Sequence, residues 1–122
     1  MMDASAILTD LQAALKGELG AGYSTISSFV ARQGRLLADQ AAFIAEQRAT
    51  GALRDNDALY EHFVAGLKTN AINLTHHVAM LTALTIEKAW NAVANVLWGA
   101  MRSIMSASGV PTALLPATPP HV

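Results

Sequence analysis

The sequence predicts an all-α protein: a long antiparallel helical hairpin with arms at about 3–50 and 57–106, a kink near 17–22 and an extended proline-rich C-terminal tail. Three observations carry this expectation. All four prolines (Pro111, Pro116, Pro119, Pro120) fall after residue 110. Proline in a helix interior removes a hydrogen bond and clashes with the preceding turn, so its absence from 1–110 permits long helices. Apolar residues recur at three- and four-residue spacing, whereas the strict alternation of a half-buried strand is scarce. Stop and start signals lie close together between 50 and 57, and so short a link favours antiparallel neighbours.

The first arm starts at Asp3 or Ser5, both suitable N-caps. Ile7, Leu8, Leu11, Leu15 and Leu19 form a one-sided stripe. Gly17, Gly20 and Gly22 then weaken the helix, which places the kink there. Over 23–49 two seven-residue rows, Tyr23-Val30-Leu37-Ile44 and Phe29-Leu36-Phe43, flank a third row that carries Gln33, Gln40 and Gln47. This puts three glutamines on the midline of the apolar face. Arg35 is placed to pair with Asp39 one turn on. Thr50-Gly51 is a stop signal, with the glycine expected in the left-handed conformation. Asp55-Asn56-Asp57 offers several caps for the second arm.

The second arm changes its apolar side partway. From 60 to 84 the stripe runs Tyr60, Phe63, Val64, Leu67, Leu74, Val78, Leu81, Leu84. From 86 it runs Ile86, Trp90, Val93, Val96, Leu97, Ile104, roughly opposite on a continuous helix. The drift of a heptad pattern, about 20° per heptad, is too small to explain the switch. Folding the hairpin about residue 53 sets position i opposite 106 − i, so the glycine zone faces the switch. Both arms are then expected to reorient there, giving two stacked coiled-coil-like segments. The domain organisation that follows is a hairpin domain over 1–107 and an extended arm over 108–122, with Leu114 and Leu115 as the arm's apolar anchor.

Hydrophobic residues make up 52% and charged residues 14% of the chain, an apolar excess that a lone hairpin cannot bury. Partners are therefore expected to be further copies of the chain or a larger protein assembly. The formal net charge is −1 with no basic stripe, which argues against nucleic acid. The absence of cysteine excludes disulfides and thiolate chemistry. No basic, then apolar leader opens the sequence, so synthesis in the cytoplasm is expected.

No phosphate loop, nucleophile elbow or Ser/His/Asp cluster is visible, so the expectation is a non-enzyme with no catalytic, cofactor-binding or metal-binding residues. His62, His76, His77 and His121 lack the Glu-x-x-His spacing of a di-metal bundle. Gln33, Gln40, Asn70, Asn73 and His77 are read as buried polar groups that set register, Gln33 facing Asn73 and Asn70 lying opposite Leu36. Trp90, Val93, Leu97, Trp98, Met101 and Ile104, with Leu114 and Leu115 of the tail, are read as the interface between copies, because that stripe has no partner within one hairpin; core packing is the competing reading for Trp90 and Trp98.

The stretch Leu36–Met105, with "LLADQAAFIAEQRATGALRDNDALYEHF" around the turn and "LTALTIEKAWNAVANVLWGAM" after it, resembles small helical-hairpin proteins of phage and prophage gene clusters. The resemblance implies a virion or assembly component and supplies no functional residues. The function expected is thus a structural, self-assembling protein whose tail clasps a neighbour. Two other readings compete. One is a membrane-active, holin-like or pore-lining hairpin, motivated by the uncharged stretch 69–86, close to the ~20 residues of a spanning helix. The other is an oligomeric bundle that encloses a metal or small ligand near His76 and His77.

Overall fold

The computed structural model describes residues 4–82 and 84–107. The tail, with Leu114 and Leu115, and the Asp3 cap lie outside them. Among the described residues the chain forms four α-helices and no strand: α1 (Ala4–Leu19), α2 (Ser27–Thr50), α3 (Asp57–Leu81) and α4 (Ile86–Ala107). A short 3-10 turn over Gly20–Thr25 joins α1 to α2.

The fold is all-α, but neither long arm is continuous. Each is cut by a full reversal. A Cβ added at Gly34 of α2 would sit 3.0 Å from Leu11 Cδ2 and 3.1 Å from Leu8 Cδ1, so α1 lies back along α2. Phe29 meets the His77 ring edge-on at 5.6 Å between centroids, and Phe43 meets Phe63 at 6.2 Å, so α3 runs antiparallel to α2. The Tyr60 hydroxyl donates to Met105 Sδ at 3.6 Å, so α4 runs back along α3. The result is an up-down-up-down four-helix bundle. α1 and α3 sit at opposite corners without touching, while the parallel helices α2 and α4 pack on each other across the short diagonal.

Local chemistry accounts for each reversal. At the first, Gly20 takes φ +58°, a left-handed conformation that a side chain disfavours, and no residue of the 3-10 turn is buried. The glycine zone therefore reverses the chain instead of kinking it. At the third, two threonines do the work. Thr82 Oγ1 donates to the Val78 carbonyl at 2.7 Å and accepts from the Leu84 N–H at 3.1 Å. Thr85 Oγ1 accepts from the Lys88 N–H at 3.2 Å and caps α4. The change of apolar side after residue 84 is thus a turn between two helices. It also divides the uncharged stretch 69–86 between α3 and α4, and no helix among the described residues is long and apolar enough to cross a membrane.

The middle reversal is built around Arg48, in the last turn of α2. Its side chain is 11% exposed, with Nη1 donating to the carbonyls of Leu53 at 2.9 Å and Arg54 at 3.3 Å. Its guanidinium carbon lies 4.6 Å from the centroid of the Tyr60 ring, a cation–π contact. The same Nη1 reaches Asp57 Oδ1 at 2.9 Å, joining the negative end of α2 to the positive end of α3. Asn56 caps α3, its Oδ1 accepting from the Leu59 N–H at 2.9 Å. Gly51 has φ −124°, outside the left-handed region expected for it; a Cβ there would collide with the Gln47 side chain, whose Oε1 accepts from the Ala52 N–H.

The core draws on all four helices. α1 contributes Ile7, Leu11 and Leu15; α2 contributes Val30, Leu37 and Ile44; α3 contributes Tyr60, Leu67, Leu74 and Val78. α4 supplies the largest share of bulk, including Trp90 and Trp98, whose rings meet edge-on at 6.1 Å between centroids. The buried side of α2 differs from the expected one. It includes Ala38, Ala41, Ala42, Ala45 and Ala49, and it is turned about 100° away from the glutamine row at 100° per residue. Alanine lets neighbouring helices approach closely, and Gly34 carries this furthest where α1 crosses.

Four outcomes follow. Arg48→Ala should lower stability to urea by about 1.5–3 kcal/mol, because the buried Leu53 carbonyl loses a charged donor. Asp57→Asn should cost under about 1 kcal/mol, because Asp57 is 72% exposed. Gly34→Val should cost about 1–3 kcal/mol by forcing its methyls on Leu8 and Leu11, also read by urea unfolding. Burial pushes the Tyr60 phenol above its usual range, outweighing the lowering by Arg48. The folded state therefore holds its proton while the unfolded chain releases it above about pH 10. Wild type should lose more stability than Tyr60→Phe as pH rises through that point, measured as the difference in urea midpoint.

Candidate functional site

The residues read as an interface on α4 are core. Trp90 is 2% and Trp98 1% exposed, and Val93, Leu97, Met101 and Ile104 are equally enclosed. Once the chain turns at 82–85, α4 packs against α1, α2 and α3 of its own chain, and the stripe that had no partner in a hairpin acquires three.

The residues read as buried register-setters are instead gathered on the surface. Gln33 and Gln40 of α2 face Asn70, Asn73 and His77 of α3 across a groove of about 320 Å³. Leu37 and Leu74, both core residues, form its floor, and Leu36 stands at its edge. Gln33, Asn70, Asn73 and His77 are exposed and Gln40 is half-buried, so these groups remain hydrated and carry little desolvation cost. One direct bond spans the groove: Asn70 Nδ2 donates to Gln40 Oε1 at 2.9 Å. Asn70 thus pairs with Gln40 and not across from Leu36. The Phe29–His77 contact closes one end of the groove, and the Phe43–Phe63 contact lies beyond the other.

The helices place these side chains by simple spacing. Gln33, Leu36, Leu37 and Gln40 fall at i, i+3, i+4 and i+7 of α2, and Asn70, Asn73, Leu74 and His77 do the same on α3. The two facing strips therefore match in pattern, each with two leucines or one leucine set among amides, and no charged side chain lines the groove. Leu36 is 64% and Phe43 51% exposed, which gives the outer face of α2 two large apolar side chains in water. The amide rows of the two helices are visible in the sequence, but neither the Asn70–Gln40 pair nor the exposure of the set is. The exposure depends on which side of α2 is buried, and the alanine row that decides this carries a weaker hydrophobic signal than the leucine and phenylalanine rows.

A second depression lies at the α3–α4 turn, lined by His76, Ala79, Met80, Leu84, Thr85 and Ile86. Among the described residues no three His, Asp or Glu side chains come together in a way that could hold a metal ion. The groove's chemistry is that of amide donors and acceptors beside apolar pockets, a combination suited to a peptide main chain and its side chains.

Fold and groove together define a small four-helix bundle with an uncharged, amide-lined surface channel. The sequence matches no protein-family model, no curated protein and no solved structure.

Proposed function

We propose that this protein is a non-enzymatic assembly component that self-associates through the outer face of the α2–α3 pair. The observation that carries the reading is the exposure of Leu36 and Phe43 on the face that also presents the amide groove. Large apolar side chains in water beside organised polar groups are the features of a surface that another protein covers. The amides give such a contact direction and register, while the leucines give it area. This moves the association surface from α4, which the sequence suggested, to α2 and α3. The resemblance to phage hairpin proteins motivates a virion or its assembly as the setting.

Light scattering over a micromolar concentration range tests the reading. The full chain should show a mass above the 12.8 kDa of one copy. Leu36→Glu combined with Phe43→Glu should return it to that mass with unchanged helical circular dichroism, since both side chains are solvent-exposed. A wild-type chain that stays at the mass of one copy throughout, or a double variant that associates like wild type, would sink the reading.

A further inference from the structure

We infer that the α2–α3 groove receives the proline-rich segment 110–120 of a second copy of this chain, with Leu114 and Leu115 as its anchors. The inference rests on the reading of the α2–α3 face as the association surface and names what fills it. Three observations converge on this occupant.

The first is chemical match. The groove is uncharged, and its polar lining consists of side-chain amides and one imidazole. Amides can both donate to and accept from a peptide main chain, and apolar pockets between them select side chains. The segment Val110-Pro111-Thr112-Ala113-Leu114-Leu115-Pro116-Ala117-Thr118-Pro119-Pro120 is uncharged throughout. A charged peptide would find no counter-ion along the groove walls.

The second is entropy. Each proline fixes its own φ and restricts the residue before it to extended conformations. Pro111, Leu115 and Pro116 are thereby restricted, so holding that stretch in a channel costs less backbone freedom than it would for a proline-free peptide.

The third is reach. α4 ends at Ala107, at the end of the bundle where Tyr60 meets Met105. The groove begins at Gln40 and Asn70, ten residues along α2 from its end at Thr50, or about 15 Å at 1.5 Å per residue. It opens on the side away from the core, because Leu37 and Leu74 are its floor and Leu36, Asn70 and Asn73 its exposed rim. A chain leaving α4 must pass around a helix layer about 10–12 Å thick before climbing that distance. Leu114 lies seven residue steps beyond Ala107, a span of at most ~25 Å, which leaves no slack for the detour. The tail of a neighbouring copy meets no such limit.

Two variants of the full chain and their mixture test this. The groove variant is Leu36→Glu with Phe43→Glu; the tail variant is Leu114→Asp with Leu115→Asp. Each alone should scatter as a single copy at concentrations where wild type associates. An equimolar mixture should recover pairs, because one partner keeps a groove and the other a tail. A labelled synthetic peptide of residues 108–122 should bind the tail variant, read by fluorescence anisotropy, and bind the groove variant at least tenfold more weakly. If the tail variant associates like wild type while the groove variant does not, the inference falls and the α2–α3 face stands. If both variants associate like wild type, both fall. If the mixture stays single, the groove is not filled by a second copy's tail and the inference is overturned.

Discussion

The parallel helices α2 and α4 occupy the short diagonal of the bundle, and their packing sets the positions of α1 and α3. Alanines dominate the buried side of α2, so its backbone lies near its neighbours, while α4 brings two tryptophans and a methionine-rich end into the space that remains. Small residues on one helix and large ones on another allow interdigitation at crystal-like density. α1 and α3 then fill the two flanks, α1 by closing on Gly34 and α3 through Tyr60 and Leu67. This arrangement buries much of the apolar surface that a simple hairpin would have left in water, while Leu36 and Phe43 stay exposed.

Arg48 plays a separate part at the end of the bundle. Its guanidinium satisfies carbonyls of the 51–56 turn, covers Tyr60 and meets Asp57. Tyr60 in turn reaches Met105. A chain of contacts thus runs from the end of α2 through the start of α3 to the end of α4. Net stabilisation comes mainly from the carbonyl bonds, because an ion pair with a largely exposed carboxylate is screened by water.

The helical class was legible because the evidence for it is local: periodicity, the placement of proline and a cap at Asn56. Two of the three reversals were not, for different reasons. At 20–25 the glycines were noticed, but glycine permits a kink as readily as a reversal, and the outcome turns on whether α1 finds a flank to bury Ile7, Leu11 and Leu15. At 82–85 there is neither glycine nor proline. The available signal was Thr85 followed by an acid in the first turn of α4, together with the abrupt change of apolar side. That change was read as reorientation within one helix, although a helix cannot rotate its face by half a turn without a break. The sequence presents the groove residues as rows of amides, but periodicity alone places them inside. Burial is a property of the whole bundle, and the Ala38–Ala49 row that points inward has less hydrophobic weight than Leu36 and Phe43, which point out.

The up-down-up-down order also has a kinetic meaning. Three of the packed pairs join helices that follow each other in sequence, so their contacts form by closing short loops at 20–25, 51–56 and 82–85. Topologies dominated by such local pairings belong to the fast-folding class, in the microsecond to millisecond range. The contacts between α1 and α4 are different: they connect the two ends of the described chain and bear the largest loop-closure cost. Closure of α1 onto α4 is therefore a step at which local speed gives way to global closure.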